Sequence, residues 1–358
     1  MKTNYFFILL LLKMLLSCGS DLNDLIYEFN GFKEPICVKA GASGITGRGW
    51  ADALPTIQSA INIASADDEI WVAGDQTIIS VLSPSGQSIA IYGGFSGNES
   101  KRDEAKGMSR ITVSTGAFIS TSAPEITLDR LIISNNQTDA NVITLLQNTD
   151  AIITNCTFEN NGVSSQTYGA IFLRDTTKLL LINCSFNDNE GSQGAAIYSI
   201  SGNALILRNC SFNNNSVKNN DYPLGGAIYS QDTVTTIENC IFTDNSATDS
   251  GSSGGAICCT HVTLILSDSR FYNNSSSLGG AVICNNSNLK ISNCSFSANQ
   301  GSSMGGAFFL TSNCNAEFTD TVFENNSASS GGAIYKTSDV SLNLENCTFS
   351  GNTPNDIN

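Results

Sequence analysis

Apolar residues along most of this chain recur in short alternating runs, not at helical spacing. Leu205-x-Leu207, Leu289-x-Ile291 and Leu342-x-Leu344 each put two apolar side chains on one face of an extended strand, and an asparagine follows two residues later. After that asparagine the phase flips. In Asn209-Cys210-Ser211-Phe212 the cysteine and phenylalanine share the parity opposite to the leucines, which requires a corner between two strands. No segment inside the repeating region carries a helical period.

Two motifs alternate along the chain. One is Gly-Gly-Ala-apolar, as in Gly225-Gly226-Ala227-Ile228 and Gly331-Gly332-Ala333-Ile334; the other is Asn-Cys-x-Phe-x-x-Asn, as in Asn183 to Asn189. From repeat alanine to the next repeat phenylalanine is always 15 or 16 residues, whereas closing asparagine to next repeat glycine varies from 5 to 10. A fixed spacing marks residues locked in a ladder, and a floating one marks a surface connection. The pattern predicts an all-β chain, a right-handed parallel β-helix of about three short strands per coil. Coils stacked about 4.8 Å apart bring identical side chains together. The phenylalanines form one ladder, and Asn161, Asn189, Asn215, Asn245, Asn274, Asn299, Asn326 and Asn352 form another, placed at the bend because asparagine tolerates a left-handed backbone. Cys156, Cys184, Cys210, Cys240, Cys294 and Cys347 share one position with Ser269 and Thr321, so that position asks for a small, weakly polar buried group, and mostly free thiols are expected. Cys259 and Cys284, at matching positions, are the pair best placed to bridge.

The ends differ from the repeats. Residues 1–18 read as a targeting segment with an apolar run from Phe6 to Leu12. Leu15-Leu16-Ser17-Cys18 resembles a bacterial lipobox, which makes Cys18 a lipidation site; a plain secretory signal is the alternative, and both readings export the protein. Residues 19–44 read as a linker, 45–115 as a capping helix with irregular first coils, and 116–358 as regular repeats. Leu54, Ile57, Ile61 and Ala64 share a helical face suited to plugging the apolar end of a solenoid.

Composition narrows the chemistry. Thirty-two acidic against 17 basic residues, a net charge of -15, repel nucleic acid, and one histidine, His261, cannot build a multi-histidine metal cage. No metal or cofactor is called for, and a membrane is reached only through a lipid anchor. Two candidate contact surfaces stand out. The residue after each Ala-apolar step forms an outward aromatic row, Phe172, Tyr198, Tyr229, Phe309 and Tyr335; loops that cover it would turn it into a second packed layer. The longest insertions all fall between closing asparagine and repeat glycine, a rim over 163–168, 217–224 and 247–253 with Tyr168, Asp221, Tyr222 and Asp249 as contacts; solvated slack is the bland alternative. Arg208 and Glu238, two residues before the cysteine in neighbouring coils, suggest a surface ion pair.

The segment from Trp50 to Gly74, with Tyr92-Gly93-Gly94-Phe95-Ser96-Gly97-Asn98-Glu99 and Arg102-Asp103, resembles the N-terminal part of exported β-helix proteins of Bacteroidetes. The Gly-Gly-Ala-Ile and Phe-x-x-Asn repeats resemble the chlamydial polymorphic outer membrane protein family, within the pectin-lyase-like superfamily. That resemblance implies a non-catalytic surface scaffold for adhesion or ligand contact, with a polysaccharide or a surface or host protein as partner. Its superfamily also contains polysaccharide lyases and glycoside hydrolases, which are the alternative. The polymorphic proteins continue into a membrane β-barrel; here the sequence stops at Asn358 after the last coil, so barrel-mediated export is not expected.

Overall fold

A computed structural model describes residues 34–358 except 79–81, 83, 85, 103–105, 115, 136–139, 163–167, 219–222 and 250. Cys18, Asp221 and Tyr222 lie outside the described residues. Successive coils hydrogen-bond in parallel through four sheets of 12, 11, 9 and 6 strands. Sheet A runs from Ile36–Lys39 to Ser341–Glu345, sheet B from Gln76–Ile78 to Thr348–Ser350, and sheet C from Ile119–Thr121 to Ile334–Lys336. This is the parallel β-solenoid that the repeats predict, with one α-helix among the described residues, α1 (Ile57–Ile63). Thr56 caps α1 by accepting the Ser59 N–H at 3.1 Å, and Ile57, Ala60 and Ile61 are buried against the first two strands of sheet A.

One boundary and one strand count differ from expectation. Ile36–Lys39 pairs residue for residue with Ile70–Ala73, so part of the segment read as linker is the first strand of sheet A. Each later coil also holds a fourth short strand, in sheet D, from Glu190–Gly191 to Ser327–Ser330. These Ser-, Gly- and Ala-rich pieces show no apolar alternation. Stacking supplies their hydrogen-bond partners, so they are strands by position and not by propensity.

One coil shows how the residues impose the path. Ala204–Arg208 lies in sheet A, Asn209 turns the chain with φ 53°, Ser211–Asn213 lies in sheet B, and Asn214 turns it again with φ 53°. Ser216–Val217 follows in sheet D, Gly225 (φ 64°) redirects the chain, Ile228–Gln231 lies in sheet C, and Asp232 (φ 53°) returns it to sheet A. The left-handed positions therefore fall one residue before the ladder asparagines, contrary to the expected role of the ladder itself. Ladder asparagines work by hydrogen bonding: Asn215, fully buried, donates from its amide to Phe186 O (3.0 Å) and to Asn245 Oδ1 (2.9 Å), and its backbone N–H donates to that same oxygen (3.1 Å). The pattern repeats from Asn161 to Asn326, and Asn352 ends it by donating to Phe323 O and Asp356 Oδ1, so each asparagine satisfies buried backbone groups that the bend removes from the sheets.

The phenylalanine ladder stacks as expected, with Phe212 and Phe242 rings 4.6 Å apart and Phe242 and Phe271 rings 4.5 Å apart, all nearly parallel. The second repeat glycine is a close-approach position: a Cβ on Gly255 would sit 2.1 Å from Gly280 O and 2.5 Å from Ser275 N. The eleven described cysteines are all free and, except for the half-buried Cys347, buried; Cys259 and Cys284 are register neighbours without a bridge. Geometry also explains why Cys, Ser and Thr interchange at one position. Cys210 Sγ donates to Arg208 O (3.2 Å), Ser269 Oγ to Ser267 O (2.7 Å) and Thr321 Oγ1 to Thr319 O (3.0 Å), so each small donor satisfies the carbonyl two residues earlier.

Candidate functional site

Sheet C sets the aromatic row. Its strands alternate, so the inward Ile197, Ile228 and Ile257 leave Phe172, Tyr198, Tyr229, Cys258, Ile283, Phe309 and Tyr335 aligned on the outer side. The row does not stand free along its length. Tyr229, Cys258, Ile283 and Phe309 are buried, packed with Leu224, Leu278 and Met304. A chain leaving sheet D must cross this face to re-enter sheet C, and it lays an apolar residue on the row as it does so. The middle of the row is therefore a second packed layer.

One end remains open. Tyr168 is 45% exposed, and its ring centre lies 4.8 Å from that of Tyr198 and 6.0 Å from that of Phe172, with Phe172 and Tyr198 5.5 Å apart. Tyr198 stacks on Tyr229 at 5.0 Å, and Tyr229 donates from its hydroxyl to Gln231 Oε1 (2.7 Å). Burial pushes both the Tyr198 and Tyr229 phenols up, so they act as neutral donors. Three rings thus form a terrace anchored by a fourth, buried ring. The Tyr168 N–H donates to Asn141 Oδ1 (3.0 Å), tying the exposed ring's backbone to the preceding coil. Phe309 and Tyr335, at the other end of the row, lie 5.4 Å apart with Tyr335 half-buried.

The insertion rim is narrower than expected. Val217 and Ala247 are buried members of sheet D, so they are ladder residues and not loop. Of the predicted contacts there, Tyr168 and Asp249 are exposed among the described residues. The structure joins Tyr168 to the aromatic row.

Charged groups form pairs at the surface. Arg208 Nε lies 2.9 Å from Glu238 Oε2 and Arg174 Nε 3.0 Å from Asp175 Oδ2, both pairs part-exposed as ordinary surface ion pairs are. His261 Nδ1 meets Asp232 Oδ1 at 3.3 Å on an exposed corner. Among the described residues, hydrogen bonds from Thr46 to Asp52 and from Thr337 to Asp339 hold those carboxyls below the usual range, and at Glu99 they outweigh burial to the same end, the direction opposite to that of a general acid near neutrality. Among the described residues no three His, Cys, Asp or Glu side chains are grouped to hold a metal ion, and no helix is long and apolar enough to cross a membrane. A cleft of about 520 Å³ lies far up the chain, lined by Phe95, Ser96, Asn98, Glu99, Lys106 and Met108.

The family model for the right handed beta helix region matches residues 68–224 and 210–358. The chain belongs to the right-handed β-helix family. No curated protein matches this β-helix. Among solved structures it is similar to an endo-xylogalacturonan hydrolase from Aspergillus tubingensis, at 13% identity and TM-score 0.44 over 90% of this chain and 92% of that one. A rhamnogalacturonan lyase aligns at 10% identity and TM-score 0.43, covering 88% of each chain, and a pectin methylesterase solved with a hexasaccharide aligns at 12% and 0.40, covering 90% and 92%. At these identities the likeness concerns the fold alone.

The residues that cover the row were missed in the sequence, although a signal exists. Leu224, Leu278 and Met304 each immediately precede a first repeat glycine, and Tyr168 precedes Gly169 in the same way. Tyr168 is thus the first member of the cover and at the same time the exposed face of the terrace.

Proposed function

We propose that this β-helix is a non-catalytic, exported ligand-binding scaffold whose contact point is the aromatic terrace of Tyr168, Phe172 and Tyr198, and that its ligand is a polysaccharide. The observation that supports this is the exposed Tyr168 ring, packed 4.8 Å from the ring of Tyr198 on sheet C. Aromatic faces fixed by packing offer flat apolar area at little entropic cost, and a sugar ring presents a matching C–H face. Asp249 is a further candidate contact, as are Asp221 and Tyr222, which lie outside the described residues. Anchoring through a lipidated Cys18, in the manner of the exported surface proteins this sequence resembles, would hold the scaffold at the cell surface. A polysaccharide lyase or glycoside hydrolase is the alternative, and two of the three structural neighbours named above carry names of that class.

One experiment separates the readings. The protein from residue 21 onward is screened against a glycan array and matrix proteins, beside a reducing-sugar and unsaturated-product assay on acidic polysaccharides. Binding without turnover, weakened about three- to tenfold by Tyr168→Ala, is expected. Turnover on any polymer moves the assignment to the enzyme alternative, and binding unchanged in Tyr168→Ala removes the terrace as the site.

A further inference from the structure

The outer face of sheet A gathers apolar side chains from several successive coils. Register defines it as a grid, because alternate residues of each strand point outward and successive coils align. Three neighbouring strands give Lys178, Leu180 and Ile182, then Ala204, Ile206 and Arg208, then Val234, Thr236 and Glu238. Ile152 continues the central column on one side and Ile265 on the other. Val234 is 51% and Ile265 42% exposed, Ile182 and Ile206 are half-buried, and Leu180 is buried at 8% exposure. Two coils further on, the equivalent positions are Asn315, Glu317 and Thr319, the polar exterior expected of a half-solvated sheet.

We propose that this face is a self-association surface through which two copies of the chain pair about a two-fold axis. Its charge supports a second copy as the occupant. A chain of net charge -15 repels its own kind over most of its surface. Here the charge balances: Lys178 pairs with Asp150 (3.4 Å) and Arg208 with Glu238 (2.9 Å).

The arrangement is also self-complementary. Ile206 is the centre of the grid, Lys178 and Glu238 occupy opposite corners, and Ile182 and Val234 occupy the other two. A two-fold axis lying in the face along the Ile182–Ile206–Val234 diagonal sets these three apolar residues against their own counterparts. The same operation carries Lys178 of each copy toward Glu238 of the other. Isologous interfaces have this form, with residue i meeting j and j meeting i. Each margin then holds a row of four alternating charges, Asp150 and Lys178 from one copy with Glu238 and Arg208 from the other.

The grid measures roughly 13 Å by 10 Å from strand rise and spacing, below the area of a standard interface, so the dimer is transient and concentration-dependent. It lies on sheet A and is independent of the terrace on sheet C.

Sedimentation velocity of the protein from low micromolar to near-millimolar concentration tests the proposal. Wild type shifts from monomer toward dimer. K178E carries two anions at these corners and E238K two cations, so each alone weakens self-association about tenfold or more. An equimolar mixture of K178E and E238K restores association, because both cross-copy contacts become opposite-charge pairs again; circular dichroism of each variant verifies folding. Wild type that stays monomeric at the highest concentration, variants that dimerise as wild type does, or a mixture that fails to associate overturns the proposal.

Discussion

The asparagine ladder makes the most exacting demand on the fold, and Asn245→Ala tests it. Asn245 is fully buried. Its Oδ1 accepts from the Asn215 backbone N–H (3.1 Å) and the Asn215 amide (2.9 Å), while its own amide donates to Phe212 O (2.9 Å) and Asn274 Oδ1 (3.0 Å). Truncation removes all four bonds at a site sealed from solvent. An unsatisfied buried group costs about 1 to 3 kcal/mol, and Asn274 Oδ1 keeps its bond from the Asn245 backbone N–H (3.0 Å), so the total should be about 3 to 5 kcal/mol. Exposed Thr263→Ala, on the outer side of sheet A, should cost under about 0.5 kcal/mol.

Guanidinium unfolding followed by circular dichroism measures both. N245D adds a signature that simple truncation lacks. Burial raises the carboxyl's folded pKa above its unfolded value, so the native state binds more protons than the unfolded chain, and stability falls as pH rises. The gap between N245D and N245A should therefore shift in favour of N245D as pH drops from 7 toward 4. A cost below about 1 kcal/mol for N245A, or equal costs for N245A and T263A, would refute the reasoning that these amides satisfy the bend.

Other perturbations probe the corners, the thiols and one loop. Ala298 has φ 54° at the corner where Asn214, Asp244, Asn273 and Asn325 also turn, and a left-handed alanine costs about 1 to 2 kcal/mol, so Ala298→Asn should raise the melting temperature by relieving much of that cost. Burial pushes the Cys156 and Cys258 thiols up, and Cys347 alone of the described cysteines is part-exposed, so a thiol reagent at pH 8 should label Cys347 first and the others only in denaturant. Burial by itself would raise Glu99, but the Ser96 hydroxyl and the Ser96 and Asn98 N–H groups hold it down to about 2. Its folded pKa lies below its unfolded one, so its stabilisation is present above about pH 4.5 and lost toward pH 2, and Glu99→Gln should flatten that part of a melting-temperature profile.

What the sequence shows and hides follows from the ladder itself. Residues that face the core repeat with their partners, so Phe212, Asn215 and Ile228 announce coil, bend and sheet wherever they recur. The left-handed turns one residue before the ladder asparagines were harder to place, because Asn214 and Asn215 are the same residue type and only the backbone separates their roles. Sheet D has no apolar code, since stacking alone delivers its partners. The cover over the aromatic row depends on a single residue before each repeat glycine, Leu224, Ser253, Leu278 or Met304, and such a variable column is visible only after the coils are aligned. The apolar grid on sheet A is hidden for a stronger reason. Along any one strand Lys178-Leu179-Leu180-Leu181-Ile182 reads as a hydrophobic run, and Val234-Thr235-Thr236-Ile237-Glu238 reads as an ordinary amphipathic one. Only the register shows that Leu180, Ile206 and Thr236 form one outward column flanked by opposite charges at opposite corners. In a solenoid the inside is written along the chain, whereas the outside is written across it; inward residues are held to a repeat by their neighbours, and outward ones are free to differ wherever a partner or solvent asks for something else.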